Sequence, residues 1–266
     1  MAVVFNNNNI HNFYYENHDC DRVYWNDKLV FQKDSLSPFF IELSSGDSVR
    51  IYNSVYPVEK TLYYSRDGIS WTQWGSQTIL SMNTIGYRWY FKSNSTTPFY
   101  DSSEGSAVPP FDIRPYPSST GNGKVKLGGR LISLFNNANI PEFACVEMFR
   151  GNVSYQSVIE DISELIFPDS TAAFCYAGMF AGRTGINKLP KLPATSLATR
   201  CYYNMFKGCT NIKLSTTQTS EYNKEFRIPS TGTGSASSDS LNDMFLNTGG
   251  TFAGTPDINT TYYTNN

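Results

Sequence analysis

The apolar positions of this chain change their rhythm once. From Pro38 onward they come as short runs broken by Gly, Asp and Ser: Phe39-Phe-Ile-Glu-Leu43, Ser48-Val-Arg-Ile-Tyr52, Thr61-Leu-Tyr-Tyr64, Trp71-Thr-Gln-Trp74 and Tyr87-Arg-Trp-Tyr-Phe91. Strand-length segments at short spacing, rich in aromatic and β-branched residues, predict a β-sandwich. Ahead of them, Arg22-Val-Tyr-Trp25 and Lys28-Leu-Val-Phe31 flank Asn26-Asp27, a pair that tolerates positive φ, and predict a hairpin. Residues 101–123 are rich in Ser, Pro and Gly without a period and read as a long loop; Val125-Lys-Leu127 and Leu131-Ile-Ser-Leu-Phe135 read as closing strands.

Beyond Phe135 the chain repeats itself. Met-Phe occurs four times, at Met148-Phe149, Met179-Phe180, Met205-Phe206 and Met244-Phe245. Around the middle two, Cys175-Tyr176 aligns with Cys201-Tyr202 and Gly182 with Gly208, an offset of 26 residues. Phe167-Pro168 and Leu192-Pro193 precede these units, and Ile186 and Ile212 each follow the Phe by six residues. Leu197, Cys201 and Met205 are four apart, as are Tyr202 and Phe206, a spacing that predicts a helix of about three turns with one apolar stripe. A short strand is expected at Asn211-Ile-Lys-Leu214. One helix and one strand cannot cover their own apolar face, so such units must stack. The outer units depart from the pattern, with Cys145 three residues before its Met and no Cys before Met244, as capping repeats do.

Composition adds limits. The chain has 266 residues, enough for two domains, with 40% hydrophobic and only 17% charged residues, and 18 Tyr and 18 Phe favour strands and turns. A net charge of −2 builds no field for phosphate backbones, so nucleic acid is not expected as a partner. No apolar run is long enough to span a bilayer, and Met1-Ala-Val-Val-Phe5 followed by Asn6 to Asn9 lacks the basic and apolar regions of a signal peptide. Five cysteines, four of them beside the repeat, read as small buried hydrophobes rather than a disulfide set.

The stretch Leu192-Pro-Ala-Thr-Ser-Leu-Ala-Thr-Arg-Cys201-Tyr-Tyr-Asn-Met-Phe206-Lys-Gly-Cys209-Thr-Asn-Ile212 resembles the repeat of BspA-type leucine-rich-repeat proteins. That variant is familiar from surface proteins of gut Bacteroidetes and from virion proteins of the phages that infect them, and the resemblance covers roughly residues 140–215. In such phage proteins a β-sandwich with a Y-S-x-D-G-x-x-W hairpin often precedes the repeats, and Tyr64-Ser65-Arg-Asp67-Gly68-Ile-Ser-Trp71 is similar. Val23-Tyr24-Trp-Asn-Asp-Lys-Leu29-Val-Phe31 resembles the N-terminal segment with which several of their tail and baseplate proteins begin. The second Cys of the family unit is present only as Cys209; Asn152, Arg183 and Thr248 stand at the equivalent points.

Candidate chemistry is sparse. Cys20 beside His18, Asp19 and Asp21 matches no four-ligand zinc spacing. His11 and His18 are the only histidines and lie in the polar N-terminal segment, so no nucleophile–base pair is assembled from the rest of the chain. Gly121-Asn-Gly-Lys124 lacks the first Gly and the Ser/Thr of a phosphate loop and reads as a hairpin turn. Glu160, Asp161 and Glu164 read as a solvated acidic edge, and Ser65 to Trp71 as turn chemistry. The early aromatics, with Phe13 and Tyr14, suit a protein interface; Tyr202, Tyr203 and Tyr222 are candidate ligand contacts, since aromatic faces stack on sugar rings.

The expectation is therefore a mixed, mainly β protein: an attachment segment and hairpin over 1–35, a β-sandwich over 36–136, and a leucine-rich-repeat-like solenoid of helix-strand units over 137–266 with an irregular cap. Its repeat core is Cys175, Met179, Phe180, Ile186, Leu197, Cys201, Met205, Phe206 and Ile212, and its attachment interface Val23, Tyr24, Trp25, Leu29 and Phe31. The resemblance implies a non-enzymatic phage virion component of the tail, baseplate or a fibre, without cofactor or metal. Its implied partners are other virion proteins, further copies of itself (a trimer would suit the role) and a host surface glycan or protein. A bacterial cell-surface adhesin has the same repeat physics, and a glycan-cleaving enzyme on the sandwich is the reading from another class.

Overall fold

The computed structural model describes residues 37–53, 61–76, 78–99, 110–151 and 155–265. It also describes the backbone of six short strands outside them: β1 (Phe13–Tyr15), β2 (His18–Cys20), β3 (Arg22–Trp25), β4 (Lys28–Gln32), and a later pair at residues 100–101 and 106–107. β1 pairs with β2, and β3 with β4 across Asn26-Asp27 as expected, with a register shift between Val23 and Tyr24. The side chains proposed for attachment, Val23, Tyr24, Trp25, Leu29 and Phe31, lie outside the described residues.

The chain is mainly β, in several sheets of which none closes on itself. The strands continue with β5 (Phe39–Ser45), β6 (Val49–Asn53), β7 (Leu62–Ser65), β8 (Thr72–Gln73), β9 (Ile79–Met82), β10 (Arg88–Ser93), β11 (Tyr100–Asp101), β12 (Ser106–Ala107), β13 (Phe111–Pro115), β14 (Lys124–Arg130) and β15 (Ile159–Ile166). A six-stranded sheet runs β15-β14-β5-β10-β7-β8 and a three-stranded sheet β13-β6-β9. Alternation sorts their faces: Phe39, Ile41 and Leu43 of β5, Val49 and Ile51 of β6, and Phe111 and Ile113 of β13 are buried. Rings from both sheets meet, Phe39–Phe111 at 5.4 Å, Phe91–Phe111 at 4.9 Å and Trp74–Phe111 at 5.8 Å between centroids. Phe40 points to the opposite face yet is buried, because its ring lies over Gly128, where an added methyl would collide with it.

Three expectations are corrected here. The supposed loop 101–123 contains β13, whose Phe111/Ile113 and Asp112/Arg114 alternate in and out, and Leu131–Leu134 is a short 3-10 helix instead of a closing strand. Gly121-Asn-Gly is also no hairpin turn, since it joins β13 to β14 and these belong to different sheets.

β14 and β15 pair in parallel, which demands a crossover connection, and that crossover contains the first Met-Phe segment. Three more such segments follow. Each is a string of overlapping turns, and the expected helices are absent; the 3-10 helix is the one helix among the described residues. The backbone explains why. Positive φ recurs at every fourth residue: Phe143 and Glu147; Phe174, Gly178 and Gly182; Arg200, Asn204 and Gly208; Asp239, Asp243 and Asn247. Between these left-handed points, carbonyls accept N–H groups three residues on, as in Tyr202 O to Met205 N at 3.1 Å and Asn204 O to Lys207 N at 3.1 Å. The alternate N–H groups reach the next segment: Phe149 to Met179 O, Phe180 to Met205 O and Phe206 to Met244 O, each at 2.9 Å. Every fourfold step turns two residues inward and two outward, so Cys201/Tyr202, Met205/Phe206 and Cys209 are buried while Tyr203/Asn204 and Lys207/Gly208 face out. A fourfold turn repeat thus yields the same i, i+4 apolar pairs as a helix.

The four segments are in register. Phe149–Phe180, Phe180–Phe206 and Phe206–Phe245 stack at 5.6, 5.7 and 5.4 Å with rings within 19° of parallel. Phe111 of β13 stacks on Phe149 at 5.6 Å, so the packing runs without a break past residues 136–137. Beside the ladder lie β16 (Ser196–Leu197), β17 (Lys213–Ser215), β18 (Lys224–Arg227), β19 (Ser235–Ala236), β20 (Gly249–Gly250) and β21 (Thr261–Thr264). β16 pairs with β19, and the others form a sheet ordered β18-β21-β17-β20, from which Phe226 stands edge-on to Phe245 at 5.6 Å. No helix among the described residues is long and apolar enough to cross a membrane.

Because Phe206 has a stacked ring on either side, Phe206→Ala opens a cavity mid-column and lowers unfolding free energy by about 3–5 kcal/mol in urea titrations. A loss below about 1 kcal/mol would mean that the column does not hold the segments together.

Candidate contact surfaces

The residues singled out from sequence fall into two sets. Cys175, Met179, Phe180, Ile186, Leu197, Cys201, Met205, Phe206 and Ile212 are all buried and share one core. Cys145 takes the column of Tyr176 and Tyr202, because its N–H bonds Cys175 O just as that of Tyr176 bonds Cys201 O. Of the aromatics expected to meet a ligand, two do not reach the surface: Tyr202 is 0% and Tyr222 8% exposed. Tyr202 occupies an inward slot of the fourfold turn, and the Tyr222 N–H is held by Thr219 Oγ1. Only Tyr203 is outward and half-buried. It belongs to a surface column in which Phe143 stacks on Phe174 at 5.0 Å, Arg200 lies 5.5 Å over Phe174 and 5.8 Å from the Tyr203 ring, and Asp239 pairs with Arg200 at 3.4 Å.

Tyr176 and Tyr202 stack at 5.5 Å with fully buried hydroxyls that meet no hydrogen-bond partner among the described residues. Burial pushes both phenols well above their ordinary range, so both stay protonated. The thiols behave alike: burial raises Cys175 well above its ordinary value and Cys201 and Cys209 to about 12, which removes them from thiolate chemistry at neutral pH. Arg183 is buried as well. Its Nε donates to Phe149 O at 2.6 Å and its Nη1 to Tyr155 O at 2.8 Å, and burial lowers its pKa to about 10, so it remains charged.

The acidic residues of β15 are neither free nor fully solvated. Across the outer face of the six-stranded sheet, Arg88 binds Glu42 at 2.7 Å, Glu42 also binds Lys126 at 3.1 Å, and Lys126 binds Glu164 at 2.8 Å. Asp161 pairs with Lys188 at 2.7 Å, and Glu160 accepts the Ser45 hydroxyl at 3.1 Å. Glu42, Lys126, Glu160, Asp161, Glu164 and Lys188 line a shallow groove of about 520 Å³. The Asp161 carboxyl is lowered although burial opposes it, because Lys188 and Ser163 donate to it. The row alternates in sign across neighbouring strands and so ties β10, β5, β14 and β15 together. Among the described residues no group of three metal-ligating side chains is assembled.

In the Ser65–Trp71 hairpin, Asp67 Oδ1 accepts the N–H groups of Ile69 and Ser70, both at 2.8 Å, and the Ser65 hydroxyl at 2.8 Å. The segment is a turn knotted by one carboxylate. Compared with known proteins, the chain matches no family model, and no curated sequence or solved structure shows significant similarity to it.

The unpartnered phenols predict an inverted substitution effect. Tyr202→Phe removes a buried hydroxyl that lacks a partner and raises unfolding free energy by about 1 kcal/mol, read as a higher urea midpoint at unchanged slope; a fall of similar size would mean that the hydroxyl is satisfied in solution.

Asp67 predicts a pH effect. Donation by the Ser70 and Ile69 N–H groups lowers its carboxyl from 3.8 to about 2. A depressed folded-state value means that its stabilisation is full above the unfolded value near 3.8 and fades as pH falls through about 2. The urea-midpoint advantage of the wild type over Asp67→Ala should therefore hold at neutral pH and shrink below about pH 4. A difference that stays constant down to about pH 2 would assign the effect to something other than the ionised carboxylate.

Proposed function

We propose that this chain is a non-catalytic structural and adhesive component of a phage virion, in the tail, the baseplate or a fibre. On this reading a β-sandwich continues into a short leucine-rich-repeat-like solenoid whose rungs are turn ladders, and the residues before β5 attach it to the particle. The observation that carries the proposal is the single ring column from Phe111 through Phe149, Phe180, Phe206 and Phe245 to Phe226. Such a column makes a rigid body out of sequence that resembles a surface repeat, and it commits the thiols of that repeat and the phenols of Tyr176 and Tyr202 to packing. Rigidity with outward columns of mixed aromatic and charged residues suits a part that spaces and presents contacts.

Mass spectrometry of purified particles should find the chain, and gold-labelled antibody should decorate the tail region in electron micrographs. Labelling confined to the envelope of uninfected bacterial cells would replace this proposal with a cell-surface adhesin. Incubation with host capsular polysaccharide should give retention or nothing; release of shortened chains would overturn the non-catalytic assignment.

A further inference from the structure

The outer face of the three-stranded sheet carries a charge arrangement that its fold does not require. Val49, Ile51, Leu80, Met82, Phe111 and Ile113 of β6, β9 and β13 turn inward and are buried, and the outward positions are Arg50 and Tyr52, Ile79 and Ser81, and Asp112 and Arg114. Register sets them in two rows across the sheet: Arg114 opposite Arg50 opposite Ser81, and Asp112 opposite Tyr52 opposite Ile79. Two arginines thus face each other directly across an antiparallel pair, an arrangement that repels. Asp112 is the sole carboxylate on these strands, and it is bonded to Arg114 through Nε at 2.9 Å and through Nη2.

What holds the two cations there is aromatic. Arg50 lies 3.5 Å over the ring of Tyr116, and Arg114 lies 4.9 Å from the ring of Tyr52 and 5.6 Å from that of Tyr155. The guanidinium planes are therefore fixed before any ligand arrives, which removes part of the ordering cost of binding. They remain reachable: the Arg114 side chain is 41% exposed and Tyr116 42%. Because the guanidiniums cover ring faces, what this surface offers is the N–H edge of Arg50 and the edge of Arg114 that Asp112 does not hold, and the matching group is a carboxylate. The face is a sheet and not a cleft, and its concentration of Tyr and Arg is that of the centre of a protein interface.

We infer that the outer face of the three-stranded sheet is an interface for an acidic polypeptide, whose Asp or Glu carboxylates are taken by Arg50 and Arg114. The assignment rests on this face alone and stands apart from the proposed place in a virion.

The test uses the full chain with poly-L-glutamate as the acidic probe, polygalacturonate as a carboxylate probe of another class, and titration calorimetry at low and moderate salt. Poly-L-glutamate should bind with an affinity that falls as salt rises. Arg50→Gln/Arg114→Gln should weaken that binding by about tenfold or more, whereas Lys191→Gln, an exposed lysine away from this face, should leave it nearly unchanged. Tyr116→Leu, which keeps both charges and removes the ring under Arg50, should weaken it to a lesser degree. The thermal midpoint of the double variant should stay close to that of the wild type, because loss of the Arg50–Arg114 repulsion offsets loss of the partly exposed Arg114–Asp112 pair. No binding, or equal loss with Lys191→Gln, overturns the inference. Stronger binding of polygalacturonate with the same arginine dependence overturns the polypeptide and assigns the face to an acidic glycan.

Discussion

The fold of the second half depends on how its backbone hydrogen bonds are shared. In the first three Met-Phe segments alternate amides bond within the segment and to the next one, so every second N–H is committed to a neighbour. A helix would pair its groups within itself, apart from those of its end turns, and leave the segments free of one another. The ladder instead makes each segment incomplete without the next, and its cost is a left-handed residue at every fourth position, several of them bulky, such as Phe143, Phe174 and Arg200. Each such residue costs on the order of 1 kcal/mol or more. The inward pairs offset it: Met and Phe bury wholly, and each ring contact in the column adds about 0.5–1.5 kcal/mol beyond burial.

The same arrangement ties the ladder to the sheets. The first Met-Phe segment lies in the crossover from β14 to β15, so forming the parallel pair and forming the first rung are one event in space. Phe111 then closes one end of the column and Phe226 the other, the latter carried by a sheet whose strands run partly antiparallel to the ladder's own. Both terminal rings are covered by elements of a different kind. The column is therefore finite, and a second copy has no bare ring at either end on which to continue it.

Much of this was legible in the residues. The strands between Phe39 and Phe91 announced themselves by alternation, and the four Met-Phe pairs by recurrence. The conformation within the repeat was not, because apolar pairs at i, i+1, i+4 and i+5 fit a helix of 3.6 residues per turn as well as a turn repeat of four. The discriminating signal lay in the outward slots: Gly178 and Gly182, Asn204 and Gly208, and Asp243 and Asn247 are spaced by four and are residues that tolerate positive φ but weaken a helix. Counting the greasy positions without the permissive ones also sent Tyr202 to the surface. β15 was illegible for another reason. Its buried residues Ile159, Ile162 and Leu165 recur every third position, since register shifts against β14 displace the alternation on which strand reading relies.

The position four residues after each Met shows what kind of constraint the repeat imposes. Cys209 Sγ donates to Phe180 O at 3.1 Å, one segment back, and Arg183 Nε donates to Phe149 O, the equivalent carbonyl of the preceding pair. Thr248, at the end of the array, turns its hydroxyl to the carbonyl of its own Phe245 at 2.8 Å. The Cys209 thiol and the Arg183 guanidinium differ in charge and size, yet both place a donor on the Phe carbonyl one segment back, whereas Thr248 bonds within its own segment. The departure from cysteine at Arg183 thus keeps the hydrogen bond to the preceding segment. The presence of a cysteine there reflects a buried hydrogen bond, which its strongly raised pKa protects from reaction.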